Sequence, residues 1–177
     1  MTRINTVDVS VLSNLHCLKE YQELPRVITH VRKLLEKGKP FPKNKIPTKY
    51  KLGSGHVTFF YDKLEYIMDR LADLYNELET NRGYNMDYDK FSSIISSAQD
   101  VYDATKNYQI SWKPDHEAQY LNMARLVMRS EYQSDKEEII RYLKEDMKKE
   151  TNKTYKEDEY ALFRQEQEFE EYIKDVA

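Results

Sequence analysis

Apolar residues recur every three or four positions over residues 12–37, the spacing that places side chains on one face of an α-helix. This stripe consists of Leu12, Leu15, Leu18, Tyr21, Leu24, Val27, Val31, Leu34 and Leu35. Ser13 or Asn14 is suited to cap its start, and Gly38 is suited to end it. Pro25 has no amide hydrogen to donate, so the pattern predicts a helix that bends or breaks there.

Two more helices are predicted downstream. One stripe runs from Leu64 to Leu78 and stops before Gly83, and its start carries Asp62 and Glu65 at the spacing of a capping box. Another stretch, 112–129, has Pro and acidic residues in its first turn and Arg near its end, which suits the helix dipole. Residues 84–112 show weak periodicity, so loops and short turns are expected there.

The last 48 residues read as a helical appendix. Ser134 and Glu137 are spaced as a capping box, and an aromatic-rich stretch at 160–176 suggests a final helix. With only four Gly and five Pro in 177 residues, the chain is expected to be all-α. We predict a compact domain of three main helices over residues 1–129 and an acidic helical extension over residues 130–177.

Charge is distributed unevenly along the chain. Residues 1–65 carry 12 Lys and Arg against six Asp and Glu, whereas residues 130–177 carry nine against 15. Residues 37–51 contain six Lys, three Pro and no acid. This segment is either a solvated connector or a source of contacts to nucleic-acid phosphates, and a polyanion is expected to face only the N-terminal part.

Cysteine and histidine usage narrows the function classes. Cys17 is the only cysteine, which excludes an internal disulfide and favours a reducing compartment. It is expected to be a buried small apolar residue rather than a reactive thiol. Four scattered His without ligand spacing predict neither metal nor cofactor. No signal-peptide pattern or long apolar run is present, so a soluble cytoplasmic protein is expected.

The extreme N-terminus is a candidate reactive group. Thr2 is small, so removal of Met1 is expected to expose the α-amine of Thr2. An α-amine has a pKa of about 7.7–8.0, against about 10.4 for a Lys side chain, so much of it is unprotonated at neutral pH. Such an amine can attack C1′ of a deoxyribose and form a Schiff base, with a carboxylate to move protons. Spacing alone does not place Glu23 beside Thr2.

Several stretches together carry a family resemblance. They are "MTRIN" at 1–5, "EYQELPRV" at 20–27, "VRK" at 31–33, "LGSGHVTFFYDKLE" at 52–65, "HEA" at 116–118 and "ARL" at 124–126. On these residues the chain resembles the pyrimidine-dimer DNA glycosylase/AP lyase family, typified by endonuclease V of T-even phages. The resemblance is nearly gap-free over residues 1–66, weakens over 67–112 and resumes over 113–129.

The resemblance implies an all-α domain with its N-terminal segment threaded between the helices. It implies a glycosylase and AP lyase that flips a base from damaged duplex DNA and attacks with the Thr2 amine, while Glu23 acts as acid and base. The substrate-binding positions that it implies are Arg3, His16, Gln22, Arg26, Arg125 and Arg129. It also implies a monomer in the cytoplasm of a phage host, with self-association through the tail as the alternative.

Each of these residues also has a purely structural interpretation. Glu23 could be a solvated helix carboxylate, His16 a core histidine, and the arginines simple surface charge.

Three departures from the family pattern bear on activity. Gln22 stands where the family has Arg, and Leu15 stands where it has a polar amide. The acidic stretch "SEYQSDKEEIIRYLKEDM" replaces an aromatic and basic segment that grips the lesion. Fewer phosphate contacts lower duplex affinity. The alternative to an active glycosylase is therefore a diverged member that binds a nucleotide or a protein.

Overall fold

The computed structural model describes residues 4–129 and residue 141, and it contains helices and turns but no strand among these residues. The all-α prediction is therefore confirmed. The chain divides into two units, residues 1–119 and residues 120–177. Within residues 4–129 the α-helices are α1 (Asn14–Glu23), α2 (Pro25–Glu36), α3 (His56–Phe59), α4 (Leu64–Asn76), α5 (Tyr88–Thr105) and α6 (His116–Arg129).

Some predictions fall on residues that the structure does not describe. The capping box at Ser134 and Glu137 and the last helix at 160–176 are among them. The division into a domain over residues 1–129 and an extension over residues 130–177 stays a prediction. Within the described part of the chain, no helix has the length and apolar character needed to cross a membrane.

Ser13 caps the start of α1 by accepting a hydrogen bond from the His16 amide at 3.3 Å. The predicted break at Pro25 is confirmed. α1 ends at Glu23, and Pro25 is the first residue of α2, where its missing N–H is tolerated. Leu24 between them keeps helical dihedral angles (φ −57°, ψ −41°), so α2 follows α1 directly. Chain reversal after α2 uses Gly38, whose φ is +59°.

The start of α4 differs from the prediction. Asp62 does not cap α4, because its carboxylate lies 2.6 Å from the buried ammonium of Lys63. The Leu64 amide instead donates to the side-chain carbonyl of Gln109 at 3.0 Å. A buried ammonium without an anion is costly. We attribute the difference to Lys63, whose buried ammonium pairs with the Asp62 carboxylate and so keeps that carboxylate from capping α4.

The prediction of loops over residues 84–112 is wrong, since α5 occupies most of that stretch. Asp87 caps α5 by accepting from the Lys90 amide at 2.9 Å. α5 packs against α2 and α4, and Arg32 of α2 donates to the Ser97 carbonyl at 2.8 Å. Its buried residues are small or polar (Ala98, Val101 and Thr105), so its apolar stripe is weak.

An aromatic cluster fills the core beside α3. Phe59 and Phe60 are fully buried, and their rings contact the rings of Tyr50 and Trp112. Tyr66 of α4 stacks on Phe60 with the ring centroids 5.6 Å apart. Each buried Phe contributes about 1.5–3 kcal/mol to folding. The cluster also presents the hydroxyl groups of Tyr50 and Tyr66 to the N-terminal segment.

Candidate active site

The N-terminal segment, residues 4–7, is buried, and two of its hydrogen bonds go to α1. The backbone N–H of Asn5 donates to Glu20 Oε1 at 2.7 Å, and Asn5 Nδ2 donates to Glu20 Oε2 at 2.7 Å. Asn5 is 1% exposed and Glu20 is 0% exposed. A buried carboxylate requires this kind of full hydrogen bonding.

Arg70 of α4 neutralises Glu20 by direct contact. Its Nε lies 3.1 Å from Glu20 Oε1 and its Nη2 lies 3.0 Å from Oε2, which is a bidentate ion pair. Its Nη1 donates to the carbonyl of Val7. Burial by itself lowers the pKa of Arg70, but the Glu20 carboxylate raises it above the usual value. The guanidinium therefore stays charged and ties α4 to both α1 and the segment.

Two tyrosine hydroxyls complete the hold on the segment. Tyr66 donates to the Asn5 carbonyl at 2.7 Å, and Tyr50 donates to the Ile4 carbonyl at 3.3 Å. Burial raises the pKa of Tyr66, so its hydroxyl stays protonated and keeps donating. We call Asn5, Glu20, Tyr66 and Arg70 the N-terminal anchor.

Glu23 lies one helical turn beyond the anchor. It is the last residue of α1 and is half-buried, whereas Glu20 on the same helix is fully buried. The rise from Glu20 to Glu23 is about 4.5 Å along the helix axis. Thr2 and Arg3 lie outside the described residues. Three residues of extended chain span about 10 Å, so a residue three positions before Asn5 has the reach needed to approach Glu23.

The junction of α1 and α2 holds three of the predicted site residues. Gln22 and Glu23 end α1, and Arg26 is the second residue of α2. Gln22 and Arg26 are exposed. An exposed cation and amide beside a half-buried carboxylate form a surface that can contact phosphate and still hold an acid–base group.

The other predicted residues are placed differently. His16 is 9% exposed, and its Nδ1 lies 3.1 Å from Ser13 Oγ at the start of α1. Arg125 is half-buried on α6. Arg129 ends α6, and its side chain is outside the described part of the structure. Both arginines belong to the second unit, so their roles stay predictions.

The N-terminal anchor was not predicted from the sequence, although the sequence carries part of its signal. Glu20 lies on the apolar side of α1 with Cys17 and Leu24, and Arg70 lies on the apolar side of α4. A charged residue on the buried face of a helix requires a partner, and here the two helices carry opposite charges. The apolar stripes therefore mark both residues as buried charges that need a partner, without showing which partner each takes.

Leu15, which departs from the family pattern, is 61% exposed on α1. Among the described residues, no group of three or more His, Cys, Asp or Glu side chains is arranged to hold a metal ion.

A comparison with protein families identifies the class of this protein. The family model described as pyrimidine dimer DNA glycosylase matches residues 1–92. This span is more than half of the 177 residues and includes the N-terminal anchor and the α1–α2 junction. The chain belongs to the pyrimidine dimer DNA glycosylase family, whose members are DNA-repair enzymes that act on damaged DNA.

Proposed function

We propose that this chain is a DNA glycosylase with AP lyase activity, acting on cyclobutane pyrimidine dimers or a related lesion through the α-amine of Thr2. The observation that carries the proposal is the N-terminal anchor, which holds Asn5 against α1 one turn before Glu23. Without an anchor, thermal motion of the N-terminus would spread the Thr2 amine over many positions. Anchoring raises its effective concentration at one point on the surface.

The proposed reaction begins with the neutral amine. Its nitrogen attacks C1′ of the damaged nucleotide, a C1′–N bond forms, and the glycosidic bond electrons leave with the base. Loss of a proton and opening of the sugar ring produce an imine. Removal of a C2′ proton then expels the 3′ phosphate and breaks the strand. Glu23 is the group proposed to stabilise the cationic sugar and to transfer these protons.

Substrate contacts are proposed for Arg3, Arg26, Arg125 and Arg129 as phosphate ligands, with His16 and Gln22 at the pocket. The exposure of Arg26 supports its assignment, since a guanidinium open to solvent can meet a DNA backbone. Damaged duplex DNA is accordingly the proposed partner. A monomer is proposed as the working state, with self-association through residues 130–177 as the alternative.

The test is borohydride trapping on two duplexes, one with a single thymine dimer and one with an abasic site. Wild type should be trapped on both, and intact mass should show loss of Met1. A Thr2→Gln variant, which keeps Met1, should trap neither. Glu23→Gln should slow the reaction by about 10²–10⁴-fold. Glu36→Gln is the matched control, because Glu36 is exposed and ends α2 as Glu23 ends α1.

The outcomes separate the two candidate functions. Trapping on the abasic duplex alone would show that the lyase is active and the base pocket has changed. Absence of a covalent product on both duplexes, with protein whose intact mass shows loss of Met1, would overturn the enzyme proposal. That result would favour a diverged binding module, a candidate supported by the exposed apolar side chain of Leu15.

A further inference from the structure

A stacked aromatic pair lies on the surface between the lysine-rich segment 37–51 and the turn after α5. The rings of Phe41 and Tyr108 are nearly parallel (9°), with their centroids 4.6 Å apart. Tyr108 is 44% exposed despite this contact, and Phe41 is half-buried. Ile110 nearby in sequence is 50% exposed. Aromatic surface therefore stays open to solvent although the two rings already pack together.

The two residues that follow Tyr108 are held by hydrogen bonds. Gln109 Nε2 donates to Thr105 Oγ1 at 2.8 Å and to the Tyr61 carbonyl at 3.2 Å. The Ile110 amide donates to the Asp62 carbonyl at 2.8 Å. These bonds anchor the chain directly after Tyr108. A platform that is already ordered loses little conformational entropy when a ligand binds.

Backbone hydrogen bonds also hold the segment that carries Phe41. The Phe41 carbonyl accepts from the Lys43 amide at 2.8 Å, and the Pro42 carbonyl accepts from the Lys45 amide at 2.8 Å. The second of these bonds opens the 3₁₀ turn Lys43–Lys45. Both rings are consequently displayed by short, hydrogen-bonded turns.

Exposed lysines lie within four residues of one ring or the other along the chain. Lys39, Lys43 and Lys45 are exposed, and none of them takes part in a salt bridge within the described part of the chain. Lys106 is exposed two residues before Tyr108. The adjacent acid Asp62 is paired with Lys63 at 2.6 Å. The local field therefore favours a polyanion.

We propose that Phe41 and Tyr108, with Lys39, Lys43, Lys45 and Lys106, form a binding surface for single-stranded DNA. An unpaired base offers a planar face that can stack on Tyr108, while the lysines contact the phosphates on either side. A duplex keeps its base faces stacked internally, and an acidic peptide supplies charge without planar bases. The proposal goes beyond the proposed function and requires neither the Thr2 amine nor Glu23.

The experiment measures anisotropy of two labelled oligomers of equal charge. One is an oligo(dT) of about 12 nucleotides, within the range of single-strand site sizes, and the other has the same phosphates but tetrahydrofuran abasic sugars throughout, which carry no base and cannot form a Schiff base. Wild type should bind oligo(dT) about 5-fold or more tighter than the abasic oligomer, since stacking contributes for each base. Tyr108→Ala should abolish this difference, and Tyr108→Phe should retain it.

Matched variants separate stacking from charge. Tyr88→Ala removes a tyrosine that is 65% exposed on α5, and it should leave the preference for oligo(dT) unchanged. Lys43→Gln with Lys45→Gln should weaken binding of both oligomers equally, whereas Lys90→Gln on α5 should not. Equal binding of the two oligomers by wild type would overturn the proposal. An unchanged preference in Tyr108→Ala, or polyglutamate binding with the same dependence on Tyr108, would also overturn it.

The proposed function is tested separately from this surface. Tyr108→Ala that loses the oligo(dT) preference but is trapped on the abasic duplex at the wild-type rate supports a second surface. Failure of wild type to trap at all would count against the lyase alone, because the two oligomers report binding without chemistry.

Discussion

At the scale of residues, Glu20 and Arg70 are a buried ion pair whose hydrogen-bonding capacity is largely used. Glu20 accepts two bonds from Asn5 and two from Arg70, and Arg70 also donates to the Val7 carbonyl. Replacing one partner of such a pair leaves an uncompensated charge, which typically costs about 3–5 kcal/mol. The pair therefore couples stability to the position of the N-terminal segment.

Arg70→Lys tests whether this coupling matters for the reaction. An ammonium cannot bond both oxygens of Glu20 and the Val7 carbonyl in the planar arrangement of a guanidinium. We expect a loss of about 2–4 kcal/mol in the free energy of unfolding. We also expect a drop of about tenfold or more in the trapping rate at saturating abasic duplex, because a misplaced group loses orientation.

Arg82→Lys is the matched control for that variant. Arg82 also pairs with a glutamate, Glu77, at 2.9 Å and donates to the Val9 carbonyl at 3.0 Å, but it holds the turn before α1 rather than residues 5 and 7. Compared with Arg70→Lys, we expect Arg82→Lys to lose a similar amount of the free energy of unfolding but to show a smaller drop in the trapping rate. If the two variants lose rate equally, the anchor has no special positioning role.

Cys17 yields a prediction about pH. It is 0% exposed, and burial raises its pKa from an ordinary value of 9.0 to about 11. The native state then holds the thiol proton more tightly than the unfolded state, so this residue's contribution to stability is complete below pH 9 and is lost as pH rises to 11. We expect no reaction with a disulfide reagent at pH 8 in native protein and rapid reaction in guanidinium. Rapid reaction of the native thiol would contradict its burial.

At the scale of elements, α4 depends on a residue far along the chain. Gln109 supplies the acceptor for the Leu64 amide, and its own amide group bonds Tyr61 and Thr105. One side chain thus joins the start of α4 to the end of α5. The stretch between α3 and α4 is therefore held in place by a residue from outside its own sequence.

Gln109→Ala should therefore destabilise the fold more than an exposed glutamine does. It removes a cap and leaves partly buried groups without their hydrogen bonds, for an expected loss of about 1–3 kcal/mol in urea or guanidinium unfolding. Gln99→Ala on α5 is the control, since Gln99 is exposed and bonds only Asp103 among the described contacts. Its effect should be within about 0.5 kcal/mol. Equal losses in the two variants would argue against the cap.

At the scale of the whole molecule, charge decides how strongly a duplex is held. The N-terminal 65 residues are basic, and Arg26 is exposed beside Gln22 at the α1–α2 junction. Each phosphate neutralised releases counterions and adds about 0.9 to the slope of log K against log salt. Because Gln22 is neutral, this junction neutralises one phosphate fewer than it would with a cation at that position.

Gln22→Arg should consequently tighten binding of damaged duplex and steepen its salt dependence by about one unit. Ser96→Arg, an added charge at an exposed position on α5, is the control for a change in net charge alone. Duplex affinity measured at several salt concentrations distinguishes the two. The same response from both variants would remove the α1–α2 junction from the DNA interface.

The predictability of each helix followed the strength of its local signal. α2 and α4 have wide apolar stripes, and the stop at Pro25 depends only on proline chemistry. α5 was not predicted because the buried residues on its inner face are small or polar. Thr105 is buried there, and its hydroxyl donates to the Val101 carbonyl of the same helix at 2.7 Å. Its capping residue, Asp87, was a local signal that could have indicated a helix.

By itself, the sequence determined the helical class, the position of the α1–α2 break and the family, because these depend on residues within a few positions or on a shared motif. It also supplied Glu23 and Arg26 as candidates. Only the tertiary structure decided that Glu20 pairs with Arg70, 50 positions away, and that Gln109 caps α4. A buried charge or amide takes whichever partner packing brings within about 3 Å, and periodicity along one helix carries no information about that choice.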